Sequence, residues 1–388
     1  MKVIVCQRGA RRRYMVATLL YRAGMLSALY TDSTESSFLG TIGKFFPGFI
    51  QPKIIKKLLN RKIIDIPKEL INNSDILFWQ KILKQPLDMS KQYIKWGLKD
   101  CDAVYSFYGE DKDFLYYAKN KRKKIIVDVM SHPLMNSIYA KDFQNSKEYL
   151  FDIQELYKQN EEQIKHSKEI FDMADYLIVP SNWIRDGVLE ISSKLEKKIV
   201  KIPYGSSIDY TNKEPKTKLG RIIFVGHGIF TKGLHHLSEK AKQIKSMIPY
   251  AELRIIGVTK DDGQVLKNHE ILNFIGNVPL NQMSEEYLLA DVLVMPSLSE
   301  GQSGAVLEAL AAGVPVVITK QSGIDITHGK EGYQYDSKEY DCLPKLLSDI
   351  ISNRELRNEM SRNAKEFAKD FSMEHWQKRL VNFLNSIQ

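Results

Sequence analysis

The chain has 388 residues, 43% apolar and 27% charged, a soluble globular composition too long for one ordinary core, so two domains are expected. No run of eighteen uncharged apolar residues is present, which excludes a membrane span. The net charge of +9 is uneven: residues 1–127 hold 24 lysines and arginines against 11 acids, whereas residues 201–388 hold 23 of each. An anionic partner for the first half follows: a phospholipid surface, a lipid-linked phosphate or nucleic acid. No nucleic-acid module is recognisable, so nucleic acid is set aside.

From the N-terminus, MKVIVCQRG reads as a strand, Val3 to Cys6, and meets Arg8 too early for a secretory signal. Cys6, Cys101 and Cys342 lack metal or disulfide spacing, so a reducing, cytoplasmic compartment is expected. Gly9 then turns the chain into an apolar-periodic helix through Val16, Leu19, Leu20 and Ala23, the opening of a doubly wound α/β domain. Arg11, Arg12 and Arg13 in that turn either meet phosphate or are simply exposed charges. Residues 43–62 set Phe45, Phe46, Phe49, Ile50, Ile54, Ile55, Leu58 and Leu59 against Lys53, Lys56, Lys57 and Arg61. Such a stretch suits the headgroup layer of an anionic leaflet, or equally an amphipathic helix packed on its own domain.

Ala103 to Phe107 and Ile125 to Asp128 read as successive parallel strands, and the basic cluster Lys119 to Lys124 as a solvated helix end. His132 stands in the loop after the second strand, where ligands of open α/β sheets gather, either as a hydroxyl partner or as a satisfied structural histidine. The runs Asp100–Asp102 and Asp111–Asp113 are read as solvated rather than as metal ligands. A long polar helix over 148–172, a strand over 176–179 and a helix capped by Ser181 follow. Residues 199–203 form the next strand, and 212–218 are polar and Pro-containing, as a linker is.

The second half opens with a strand, Arg221 to Val225, and the loop Gly226-His227-Gly228-Ile229-Phe230-Thr231-Lys232-Gly233. Its third glycine falls two positions late for a dinucleotide fingerprint, and Thr231 and Gly233 sit on the wrong sides of Lys232 for a P-loop. Strands follow over 252–257 and 274–276, the latter running into Asn277-Val278. Residues 291–319, DVLVMPSLSEGQSGAVLEALAAGVPVVIT, then form one strand–loop–helix–strand unit. Glu300 lies in its loop and Glu308 a turn into its helix, with only small or polar residues, Gly301, Gln302, Ser303 and Gly304, between Glu300 and Ala305. A helix N-terminus left open in this way offers unpaired donors and a positive dipole to an anion, and the carboxylates offer acceptors to hydroxyls. Phe371 to Trp376 begins a final helix.

The Glu-x7-Glu spacing, the Gly226 to Gly233 loop and the Tyr204-Gly205 turn resemble the retaining GT-B glycosyltransferases, family 4 (the group 1 glycosyltransferases). The resemblance implies an α/β fold of two Rossmann-like doubly wound domains facing across a cleft: 1–205 for the acceptor, 206–370 for the donor, and 371–388 as a helix returning to the first domain. It also implies transfer of a sugar from a nucleotide diphospho-sugar, a UDP-sugar foremost, to a lipid-linked or polysaccharide-precursor glycan at the cytoplasmic membrane face. Cofactor and metal are not expected, because cationic groups and a helix end supply the positive charge. In this reading Lys232 neutralises the diphosphate, Glu308 takes the ribose, and Glu300 orients the sugar with His132 beside it. Gly9, Gly226, Asn277, Val278 and the stretch Gly301 to Ala305 line the donor. His227 stands where the family carries arginine, which puts its phosphate role in doubt. The rival readings are a nucleotide-sugar epimerase, whose acid and base cannot be placed, and a non-catalytic GT-B subunit that binds a partner enzyme or an anionic surface.

Overall fold

The computed structural model describes residues 1–45, 53–85, 87–144, 152–206, 210 and 213–388. Seven strands build the first sheet: β1 (Val3–Gln7), β2 (Leu26–Thr31), β3 (Ile71–Asn73), β4 (Ala103–Phe107), β5 (Lys124–Asp128), β6 (Tyr176–Val179) and β7 (Ile199–Lys201). Their order is β3-β2-β1-β4-β5-β6-β7, and every pairing is parallel. Six more build the second: β8 (Arg221–Val225), β9 (Glu252–Ile256), β10 (Asn273–Gly276), β11 (Val292–Met295), β12 (Val316–Thr319) and β13 (Gly332–Tyr335). Here the order is β10-β9-β8-β11-β12-β13, again all parallel.

Parallel strands need helical crossovers, which cover both faces, and the central strands are accordingly apolar without alternation. Every residue of β1, β4, β11 and β12 is buried. In each sheet the order reverses beside the first strand, between β1 and β4 and between β8 and β11. A crevice opens at such a switch point, at the carboxyl ends of the strands. Gly9, Gly226, Lys232 and Glu300 all lie on loops leaving those ends.

The last helix, Met373–Ser386, crosses back to the first domain. Its Trp376, Leu380, Phe383 and Leu384 join Val3, Val5 and Leu19 in one core, and Trp376 meets Tyr204 edge-on at 5.4 Å. Burial of these four side chains, at roughly 2 kcal/mol each, is what returns the chain end to a sheet nearly the whole sequence away.

Residues 46–52 of the amphipathic stretch, 148–151 of the long helix and 212 of the linker lie outside the described residues. The long helix runs from Ile153 to Met173, capped by Asp152. In the described part of the amphipathic stretch, Leu58 is buried while Phe45 is 84% exposed. Among the described residues no helix is long and apolar enough to cross a membrane. One expectation is corrected: Asp111 is not solvated. Its carboxylate is buried and takes two bonds from the Arg8 guanidinium, at 3.0 and 2.7 Å, because Arg8 follows β1 and Asp111 follows the neighbouring β4.

Candidate active site

The glycine loop after β8 places its lysine by packing. Lys232 lays its alkyl chain across Gly226, where a Cβ would stand 2.2 Å from Lys232 Cδ. Gly233 is left-handed (φ 69°), and a Cβ there would stand 1.8 Å from the Pro296 carbonyl oxygen, so the loop closes onto the end of β11 only with glycine. The ammonium so placed donates to Glu300 Oε2 at 2.8 Å, and Ser297 Oγ donates to Glu300 Oε1 at 2.5 Å. Both charged side chains keep about a fifth of their surface exposed, 22% for Lys232 and 17% for Glu300, so a ligand can reach them. Tyr139 faces the pair: burial, then the charge of Glu300, push its phenol pKa up and hold it neutral.

The loop from Glu300 to Ala305 divides into two parts. The Glu300 and Ser303 amides donate to the carbonyls of Gln321 and Ser322, at 2.8 and 3.0 Å. Gly301 presses against the Met130 carbonyl of the first domain and accepts from Ser181 Oγ at 2.7 Å. The Gln302 amide pairs reciprocally with the Tyr204 backbone, accepting at 2.8 Å and donating at 3.0 Å. Gln302 and Ser303 are buried. The side chain of Gln302 therefore holds the two domains together and is not aimed at a donor, which corrects its expected role. Gly304 and Ala305 remain open at the N-terminus of the helix Gly304–Ala311.

A pocket of about 190 Å³ lies against that helix end, walled by Gly304, Leu307, Glu308 and Leu280 of the second domain and by Arg12 and Arg13 of the first. Tyr287 donates to Glu308 Oε2 at 2.8 Å. Burial raises the Glu308 pKa, against the opposing effects of that bond and of nearby Arg13. Asn277 and Val278 occupy the loop just before Leu280, the residue of that segment that lines the pocket.

The arginines are sorted by the structure. Arg11 pairs with Glu110 at 2.5 Å. Arg12 stacks its guanidinium 3.9 Å from the centre of the Tyr204 ring and donates to the Gln302 carbonyl at 3.3 Å. Arg13 faces Glu308. Arg12, Arg13 and Tyr14 are all left-handed, with φ of 44°, 52° and 61°. At roughly 1–2 kcal/mol per residue this is stored strain, of the kind that clusters at ligand sites. Tyr204 is itself fixed from below: its hydroxyl and that of Tyr105 donate to buried Asp128, at 2.5 and 2.6 Å.

Three expected residues are placed differently from the Lys232–Glu300 pair. Gly9 spends its amide on Asp32 Oδ1 at 2.8 Å. His227 is exposed, with Nδ1 2.8 Å from the Gly257 carbonyl. His132 is 1% exposed, stacked 4.3 Å from Trp183, and its Nδ1 accepts from the Leu134 amide. Burial lowers its pKa to about 4, so it is a neutral wall of a second cavity described below. Sequence reading gave no role to Ser297, although it stands only three positions before Glu300, nor to Tyr287 and Tyr139, and it read Tyr204 only as part of a turn; Tyr287 and Tyr204 meet their partners 21 and 76 positions away.

Residues 208–367 match the family Glycosyl transferases group 1. YtcC of Bacillus subtilis (strain 168), named as a glycosyltransferase, is 26% identical over 297 residues, 68% of this chain and 72% of that protein. Among solved structures, sucrose-phosphate synthase from Thermosynechococcus elongatus superposes with a TM-score of 0.68 at 15% identity, over 100% of this chain and 99% of its own. HepE of Anabaena, solved in complex with UDP, superposes with a TM-score of 0.66 at 15% identity, over 100% of both chains. The fold is GT-B. The matched segment and these relatives make the chain similar to the group 1 glycosyltransferases.

Proposed function

We propose that this protein is a glycosyltransferase that retains anomeric configuration as it moves a sugar from a nucleotide diphospho-sugar to a lipid-linked or polysaccharide-precursor glycan. The observation that carries the reading is the Lys232–Glu300 pair at 2.8 Å, set beside a pocket in which Arg13, Gly304 and Glu308 meet. The diphosphate lies between Lys232, the arginine turn and the open amides of Gly304 and Ala305. Its charge grows as the bond to the sugar breaks, and donors already in place stabilise that charge without reorganising. These cationic groups supply what a metal ion would otherwise provide in the transfer step. Glu308 accepts from ribose hydroxyls, and Glu300 orients the sugar. UDP-sugars head the donor panel, since HepE was solved with UDP. A peripheral position on an anionic membrane face is supported by the basic first domain and by exposed Phe38 and Phe45.

The test offers the protein a panel of nucleotide sugars with membrane extract and follows nucleoside diphosphate release and the anomeric form of the product. Release coupled to an extended glycan with the donor's configuration supports the reading. Donor binding without release, or an inverted product, refutes it. Co-sedimentation with anionic vesicles but not neutral ones tests the membrane position.

A further inference from the structure

A second cluster stands apart from the transfer site and joins the two domains. His235 and His236 begin the helix Leu234–Met247, directly behind Lys232 and Gly233. Asp142 lies in the last turn of the helix Met135–Gln144 of the first domain. His235 Nε2 is 2.9 Å from Asp142 Oδ2, and His236 Nε2 is 3.0 Å from Oδ1. The three donor atoms lie within 4.8 Å of one another. Neighbouring residues on a helix diverge by about 100°, yet these two rings converge to 4.0 Å with a tilt of 37°. Packing enforces this: Phe230 meets His235 at 5.3 Å, and Tyr340 meets His236 at 4.1 Å.

We propose that Asp142, His235 and His236 bind a transition-metal dication of the zinc class that clips the first domain to the second. Two imidazoles and one carboxylate are the donors such an ion takes, with a fourth position left for water or another oxygen. Tetrahedral bonds of about 2.0–2.1 Å separate donors by roughly 3.3 Å, so each histidine has to move only a few tenths of an ångström from its Asp142 oxygen, and all three donors already lie within 4.8 Å. Room exists on the Asp142 side, where the cluster borders a cavity of about 740 Å³ that also holds His132 and Glu239. Glu239, one helical turn beyond His235, presents a further carboxylate on that face. Lys141, Lys267 and Lys338 on the cavity wall are matched by Asp142, Glu190, Glu239 and Asp336, so the surroundings do not repel a cation. The ion would sit behind the lysine loop, holding the helix that follows Lys232 against the first domain and taking no part in transfer.

Tag-free, metal-stripped protein titrated with zinc alone tests this, with no donor present, so the outcome is independent of the transferase reading. The wild type is expected to take up one equivalent and to melt at higher temperature with zinc. Cobalt(II) in its place should show the ligand-field bands of a tetrahedral site. Asp142→Asn and His236→Gln should weaken uptake by roughly 100-fold or more, since loss of even a partner outside the ligand set costs about 10–100-fold. No stoichiometric uptake by the wild type overturns the proposal, whatever the variants do. Uptake unchanged in both variants overturns it too, leaving two histidines hydrogen-bonded to a carboxylate.

Discussion

Replacing Lys232 by methionine keeps the alkyl chain over Gly226 and removes the ammonium. If the donor diphosphate binds as proposed, an ammonium about 4 Å from one of its oxygens, with an effective dielectric near 20, would contribute on the order of 4 kcal/mol. Part of this is present in the bound donor already, so a fall in kcat of roughly 10²–10³ is expected, as for other single donors to a developing anion. The fold should lose little, about 1 kcal/mol or less, because the Lys232–Glu300 pair is partly exposed. Gly226→Ala gives an independent route to the same loss. Its Cβ would displace Lys232 Cδ, now 2.2 Å from that position, and swing the ammonium off the site with its charge intact. Steady-state kinetics on both single variants and the double variant closes the cycle. If placement of Lys232 is what Gly226 provides, Gly226→Ala adds almost nothing in the Lys232→Met background. A Lys232→Met enzyme within about threefold of wild-type kcat, or fully additive losses, refutes the reasoning.

Tyr287→Phe removes the donor to Glu308, and donor affinity measured by calorimetry should fall by roughly 10-fold, the worth of one hydrogen bond to a charged group. Because burial raises the Glu308 pKa, wild-type donor affinity should also decline as pH falls through that raised value; flat affinity from neutral pH to mild acid would exclude an ionised Glu308 as ribose acceptor. Gln302→Ala strands the buried amide and carbonyl of Tyr204, so the chain should lose on the order of 2–4 kcal/mol in urea unfolding; an unchanged midpoint would mean the domains do not depend on that pairing. Burial raises Glu110 from 4.5 to about 7 against its Arg11 partner. A raised folded pKa stabilises below the unfolded value and loses that stabilisation as pH climbs through the folded one. Glu110→Gln should therefore flatten the decline of stability between pH 4.5 and 7, by on the order of 2–3 kcal/mol, and an unaltered slope counts against it.

Most central strands were legible because parallel strands covered on both faces are mainly apolar, as β1, β4, β5, β6, β8, β11 and β12 are, whereas the equally interior β2, with Ser27 and Thr31 in its run, was not placed. The three-residue edge strand β3 and the mixed β13 carry no such signal, and they join the sheets only once β2 and β12 are there to pair with. The long helix expected over 148–172 is described from Ile153 to Met173, and residues 148–151 lie outside the described residues.

By itself the sequence determined the order of parts: glycine loop, lysine, and two acids eight positions apart around a helix start. Those are local matters of turn chemistry and helix ends, written in neighbouring residues. Only the tertiary structure decided that Glu300 pairs with Lys232 across 68 positions, and that Gln302 serves Tyr204 across 98 while Gly304 faces the pocket. The first contact depends on β8 and β11 lying side by side in one sheet, the others on how the two domains meet at the carboxyl ends of their strands. Adjacent residues with the same local preferences are then parted into buried and open by which domain they meet.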